Sequence, residues 1–550
     1  MMFRTVTRLL VLQTLHAWLP HVQASQYGEN HAPVEKDEDF VAAHFPDTDQ
    51  VLLSPAFLNP ESILVGFRNG TDGPTDDATL DKFLRSISDR NDWVHYHIAN
   101  FTSEEGRSFP YVYLSRESQK PSDAGAKKLR VWIQGGVHGN EPAGDQAVLA
   151  LLGKLDANAT WAASLLERMD IMLFPRYNPD GVSYFQRDLA SNLDPNREHT
   201  KLARHQSREI KRLLSSFSPH IAVDMHEFTG TRLTDGHYKH GMDALIAPGK
   251  NLNTHEDIRN ISEALFASGI AKRLEAASFR WESYFTASSG DAPGITLAEA
   301  GSDGKAGRNS YGLMQSIAIL SEVRGIRLAD QHFQRRVSTA LTMVSAILDI
   351  AFENFDDVYS TVENAIKKFI ASDDDIIVTD YRNPMNRSVS FIDVANGSLV
   401  QLPVNWLSTT PTMANLTRTR PEAYLIPRTW SDLAMRLQES GVVVETLDYE
   451  YRGIVEALKI TSASPARAYY EGAIQVTVTT EPYQKEVRLP VGSFLINTRQ
   501  KNAALAFVTL EPENIDSYVR FNHVPVQTGD EYPIFRVLSA PSRWTRPDEL

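Results

Sequence analysis

Cysteine is absent from all 550 residues. That excludes disulfide cross-links, thiolate zinc sites and a cysteine nucleophile together. Long apolar runs are missing beyond the N-terminal region, so no later stretch reaches the roughly 20 residues that a bilayer-spanning helix needs. Basic runs are missing too. With 55 Lys and Arg against 69 Asp and Glu the net charge is −14, and no patch is built for nucleic acid. Internal repeats and low-complexity tracts do not occur. What is left is a chain long enough for more than one domain, stabilised by core size, packing and metal.

The N-terminus reads as a signal peptide over residues 1–24. Arg4 and Arg8 give the positive region, residues 9–20 are mostly apolar, and Val22-Gln23-Ala24 places small residues at −3 and −1 of a cut after Ala24. Seven Asn-x-Ser/Thr triplets, at Asn69, Asn100, Asn158, Asn260, Asn386, Asn396 and Asn415, fit a glycosylated protein. The expectation is a secreted, extracellular glycoprotein without a membrane anchor.

Residues 25–75 are polar, with scattered Gly, Asp and Pro, and read as an N-terminal arm or leader. A helix is expected over 79–87. A hairpin follows, pairing 94–99 with 109–114 around Glu104-Glu105-Gly106-Arg107. Four short apolar runs, 129–137, 171–175, 220–223 and 316–320, alternate with helical stretches at 143–155, 198–217, 258–276 and 327–370. Alternating strands and helices imply an α/β domain over 76–370. After Asp373-Asp374-Asp375 short alternating strands take over, at 388–394, 468–479, 487–496 and 503–510, interrupted by a helix at 431–440. Residues 376–545 therefore read as a smaller β-rich domain, a structural cap rather than a separate binding module.

The chemistry collects where the apolar runs stop. Val131-Trp132-Ile133-Gln134 ends at Gly135-Gly136, and His138 and Glu141 follow before Pro142 opens a helix. In an open α/β sheet, ligands gather beyond the carboxyl ends of the strands. His226 ends the third apolar run and Glu322 the fourth. Imidazole and carboxylate suit Zn²⁺, and a catalytic zinc takes three protein ligands and a water. With His138, Glu141 and His226 as those ligands, Glu322 is the candidate general base and acid. Arg187 is the candidate cation for a developing oxyanion, and Asn196 with Arg197 for a substrate carboxylate. Asp194 is placed to orient a zinc histidine from behind.

These pieces resemble the zinc carboxypeptidase family, the one that contains pancreatic carboxypeptidase A. The matching motifs are His138-Gly139-Asn140-Glu141, Asn178-Pro179-Asp180-Gly181, Arg187, Asp194-Pro195-Asn196-Arg197, Asp224-Met225-His226 and Glu322-Val323-Arg324, in the family's order. The resemblance covers residues 79–350. It implies a mixed, twisted central sheet with some antiparallel strands, one zinc per chain, and removal of the C-terminal amino acid from peptides or proteins. Residue by residue it implies His138, Glu141 and His226 as zinc ligands and Arg187 on the scissile carbonyl. It places Asn196 and Arg197 on the terminal carboxylate, Glu322 as acid–base and Asp194 behind a zinc histidine. Many members carry a substrate-binding tyrosine well before the catalytic glutamate. Here Tyr311 lies only eleven positions ahead, and Arg308 is a further candidate for the same pocket. The resemblance extends to a divergent branch with a β-rich C-terminal extension. Two rivals stand beside it. His-Gly-Asn-Glu also resembles the aspartoacylase and succinylglutamate desuccinylase zinc amidohydrolases, which act on N-acyl amino acids. The other rival is a catalytically inactive binding glycoprotein.

Overall fold

The computed structural model describes residues 32–116, 127–233, 236–287 and 294–538. The signal segment and residues 25–31 of the arm lie outside these. A mixed sheet of eight strands forms the centre. Its strands are β1 (Val94–Thr102), β2 (Ser108–Leu114), β3 (Leu129–Gln134), β4 (Met169–Phe174), β5 (Ile221–Thr229), β6 (Ala244–Pro248), β7 (Trp281–Ser283) and β8 (Ile317–Ile326). They lie in the order β1-β2-β4-β3-β5-β8-β6-β7. The middle four, β4, β3, β5 and β8, run parallel; β1 and β2 pair antiparallel with their neighbours, and β6 is antiparallel to β8 but parallel to β7. The mixed sheet and the β1–β2 hairpin agree with the expectation from sequence.

Side chains alternate across a strand with period two, and that alternation builds two cores. Val131 and Ile133, Ile171 and Leu173, Ile221 and Val223, Ile317 and Ile319 point to one face. There they meet helix α1 (Pro142–Ala157) and helix α3 (Phe333–Glu353). Trp132, Met172, Phe174, Ala222 and Ala318 point to the other, against Ile210, Leu214 and Phe217 of helix α2 (His205–Phe217). This second face also takes helix α4 (Ala503–Leu510), whose eight residues are all buried.

Three local expectations differ from what is seen. Residues 503–510 form a helix, not a strand; buried all round, α4 shows no polar face and hence no helical period in its sequence. Residues 198–204 form a largely buried turn and loop instead of the first turns of α2; Glu198 pairs with Lys201 and accepts from the Arg204 N–H, and Lys201 reaches the Glu471 carbonyl far along the chain. The run 468–479 is bent back on itself. Strands β11 (Tyr451–Tyr470) and β12 (Ala473–Leu489) form a long hairpin whose turn, Glu471-Gly472, has positive φ at both positions, 47° and 88°. Such a two-residue turn matches the twist of the flanking strands.

The β-rich segment does not stand apart. Its first strands, β9 (Ile376–Asp393) and β10 (Leu399–Arg418), share a five-stranded sheet with Tyr238–His240, Phe285–Ala287 and Thr296–Glu299 from the first part of the chain. The arm wraps too. Buried Asp37 accepts from both terminal nitrogens of Arg324 and from Lys239, and Arg324 lies 4.4 Å over the Phe45 ring. The start of the chain is thereby clamped two residues from Glu322.

Candidate metal centre and active site

The loop after β3 is shaped by glycine. Gly136 has φ +60°, and a Cβ on Gly139 would lie 1.9 Å from the Gly181 backbone carbon. The His138 loop thus packs directly on the Asn178-Pro179-Asp180-Gly181 turn. That turn is self-capped: Asn178 Oδ1 accepts from the Gly181 N–H at 3.0 Å, and Pro179 fills the first helical position.

His138 and Glu141 leave β3, and His226 comes from neighbouring β5. His138 Nδ1 lies 2.7 Å from Glu141 Oε1, His226 Nδ1 2.8 Å from Glu141 Oε2, and the two Nδ1 atoms 3.1 Å apart. The edge of a tetrahedron of ligands around Zn²⁺ is about 3.3 Å at ordinary bond lengths. Three buried donors of the right types therefore converge on one cation-sized point. Behind them each imidazole has a carboxylate: His138 Nε2 is 3.1 Å from Asp194 Oδ1, and His226 Nε2 is 3.1 Å from Asp224 Oδ1. A carboxylate on Nε2 fixes the tautomer that turns the Nδ1 lone pair to a metal. Asp224 enters from sequence only as part of the Asp224-Met225-His226 motif, without a role; its signal is its place two residues before a candidate ligand on the same strand. The residues present fit zinc.

The electrostatics agree. Burial works to raise the Glu141 carboxyl, but the imidazoles of His138 and His226 outweigh it and hold the group far below its usual range. For Asp194, burial is likewise overcome by Arg187 and His138. Three carboxylates around two imidazoles leave a negative nest for a cation.

Glu322 stands on β8 directly opposite His226 in the parallel register. It is buried, and its Oε2 has no hydrogen-bond partner among the described residues. Burial pushes it up to about 8; His226 opposes this and Glu141 adds to it. A divalent ion beside it would pull that value down. Arg187 bonds Asp194 Oδ2 through Nη2 at 2.8 Å and reaches Glu141 Oε1 with Nη1 at 3.4 Å. Asn196 Oδ1 accepts from the Gly307 N–H at 2.7 Å, which leaves its Nδ2 as donor. Arg197 Nε donates to Tyr470 Oη at 3.1 Å.

All these open on one cavity of ≈ 500 Å³, lined by His138, Glu141, Arg187, Asn196, Arg197 and Glu322 together with Tyr284, Arg308 and Tyr470. Arg308 is buried in its wall, and among the described residues no carboxylate lies within 4 Å of its guanidinium. Its Nε is buried without a partner. Tyr311 is not brought there: it is 1 % exposed and packs edge-on against His199 at 5.4 Å. The tyrosines that do face the cavity are Tyr284, just after β7, and Tyr470, at the tip of the β11–β12 hairpin. Neither sits in a motif, and Tyr470 is separated from Glu322 by 148 positions.

Comparison with known proteins follows the same line. The zinc carboxypeptidase family matches over residues 80–228. A carboxypeptidase 2 of Trichophyton equinum is 51% identical over 534 residues, 96% of this chain and 99% of its own length. A carboxypeptidase 2 of Trichophyton rubrum is 50% identical over 533 residues, again 96% and 99%. A solved metallo-carboxypeptidase from Burkholderia cenocepacia aligns at 17% identity and TM-score 0.39, over 51% of this chain and 70% of that one. The amidohydrolase and inactive-glycoprotein readings give way to these full-length relatives. Kinship at half identity across nearly the whole of both chains decides the matter: this chain belongs to the zinc carboxypeptidase family and is a zinc metallocarboxypeptidase.

Proposed function

We propose that the chain binds one Zn²⁺ through His138 Nδ1, Glu141 and His226 Nδ1, and removes the C-terminal residue of peptides or proteins outside the cell. The observation that carries this reading is the convergence of those three donors on one point, beside a cavity that His138 and Glu141 line together with Glu322, Arg187 and Arg197. When bound, zinc supplies a Lewis acid that acidifies a water and polarises a carbonyl. The chain's own residues do the rest. Arg197 and the Asn196 amide hold the substrate's terminal carboxylate. Arg187, kept rigid by two hydrogen bonds to Asp194, offers Nη1 to the oxyanion that forms at the scissile carbonyl. Glu322 takes a proton from the attacking water and delivers it to the leaving amine. Asp194 and Asp224 keep the two imidazoles in one orientation. Tyr284, half-buried near Glu322 and Arg308, closes the wall over the terminal side chain.

A buried guanidinium with no carboxylate partner is costly. Arg308 thus favours an anionic group in the pocket, and peptides ending in Asp or Glu are expected to be trimmed fastest. Incubating the protein with a peptide library, with and without a chelator, and reading the new C-termini by mass spectrometry tests both points. Loss of single terminal residues only in the chelator-free arm is expected; cleavage of N-acyl amino acids with peptides left intact would reverse the reading. A preference for neutral termini would remove Arg308 from specificity.

Replacing Arg197 by alanine is expected to raise KM for peptides with a free C-terminus about tenfold or more, the worth of a charge-assisted hydrogen bond. C-terminally amidated peptides, turned over slowly, should not change; equal effects on both would argue against a carboxylate grip.

Secretion and glycosylation belong to the same proposal. All seven sequon asparagines are exposed, which supports it. Protein collected from the culture medium of a eukaryotic host should lose mass on enzymatic removal of N-linked glycans.

A further inference from the structure

The β11–β12 hairpin reaches out of the C-terminal part of the chain and sets its tip against the loop that carries Asp194 and Arg197. Three bonds dock it. The Asp194 N–H donates to Glu471 Oε2 at 3.0 Å, Lys201 Nζ donates to the Glu471 carbonyl at 2.8 Å, and Arg197 Nε donates to Tyr470 Oη at 3.1 Å. Lys201 is 1 % exposed and is also held by Glu198 at 2.6 Å. The tip is thus fastened through a buried cation, not laid loosely on the rim. The turn itself needs Gly472 at φ +88° to bring Tyr470 round.

A tyrosine hydroxyl both accepts and donates. Tyr470 Oη accepts from Arg197, so its own hydrogen points elsewhere, and its ring lines the same cavity as His138, Glu141 and Glu322. Resting on the carboxylate grip described above, the geometry points to Tyr470 as a substrate-positioning residue supplied by the C-terminal hairpin. It steadies the Arg197 guanidinium from one side and donates a hydrogen bond to the peptide's terminal carboxylate from the other. The β-rich segment is then part of the active site and not only a cap on it. A second contact points the same way: Asp516, also from the C-terminal part, accepts from the Gly304 and Lys305 N–H groups, and Lys305 lines the cavity.

The test uses the full-length zinc enzyme with Tyr470→Phe and Tyr470→Leu beside the wild type. Tyr470→Phe removes one oxygen and keeps the ring. It is expected to raise KM for a peptide with a free C-terminus about tenfold, with kcat within about twofold. Competitive inhibition by the free product amino acid should weaken in the same ratio, while inhibition by that amino acid's amide stays as in the wild type. Zinc content and Tm should not move. Unchanged KM and inhibition in Tyr470→Phe overturn the proposal, as does an effect seen only with Tyr470→Leu, which would show that the ring merely packs. A wild type that hydrolyses no peptide would instead refute the reading of the site on which this rests.

Discussion

Changing Glu322 to glutamine should leave a folded, zinc-loaded protein that hydrolyses peptides about 10²- to 10⁴-fold more slowly, the usual worth of a positioned general acid–base. The substitution is nearly isosteric, so the β8–β5 pairing that holds residue 322 opposite His226 is kept. It also leaves a neutral side chain in a place where burial and nearby Glu141 disfavour a charged one. Stability should therefore be unchanged or slightly higher. Glu322 Oε2 has no partner among the described residues. Losing that oxygen breaks no structural bond, and the deficit belongs to proton transfer. Metal analysis and a hydrolysis assay on the same preparation decide it. A variant with wild-type turnover would exclude Glu322 from the chemistry.

The second large effect is expected from His226→Ala. It removes one of the three proposed zinc ligands, and it also takes the imidazole partner from two carboxylates. Glu141 Oε2 loses its 2.8 Å partner and Asp224 its 3.1 Å partner, both in a fully enclosed setting. Breaking a buried ion pair on one side costs about 3–5 kcal/mol, and the stabilisation that bound metal gives the native state is lost as well. The purified variant should hold little or no zinc, show no hydrolysis and melt well below the wild type. Stoichiometric zinc in it would show that the ion sits elsewhere. His138→Ala should act in the same direction, taking the imidazole partner from Glu141 Oε1 and Asp194.

Much of this arrangement can be read from the chain before any fold is known, for a physical reason. A parallel strand buried on both faces has no use for polar side chains, so His138, Glu141, His226 and Glu322 stand out against apolar runs. The order of the motifs then ties them to successive strand ends. Residues that act through tertiary approach leave no such mark. Tyr470 lies in an ordinary hairpin, and only the fold brings its tip to Arg197. Asp37 reads as one acid among many in a polar arm until it is seen clamping Arg324. Helix α4 looks like a strand because burial on every side erases the period that identifies helices. Tyr311 shows the opposite failure: the family resemblance offers it for the substrate pocket despite its short spacing to Glu322, but the helix Gly307–Leu313 that carries it turns the ring inward, against His199.

Helix α4 has a consequence for how this enzyme comes into being. Its eight residues fill the same core as Trp132, Phe174 and Phe217 on the second face of the central sheet. During translation the ribosome makes the candidate metal ligands long before it reaches residue 503, and until α4 arrives the part of that core next to Phe369, whose ring meets Phe507 of α4 at 6.3 Å, lacks its cover. A nascent chain halted near residue 375 would carry every zinc ligand together with bare aromatic surface, the condition that recruits chaperones and favours aggregation. Cleaving power is thus tied to completion of the polypeptide, and a protease shortened to its motif-bearing half would forfeit solubility before it gained economy.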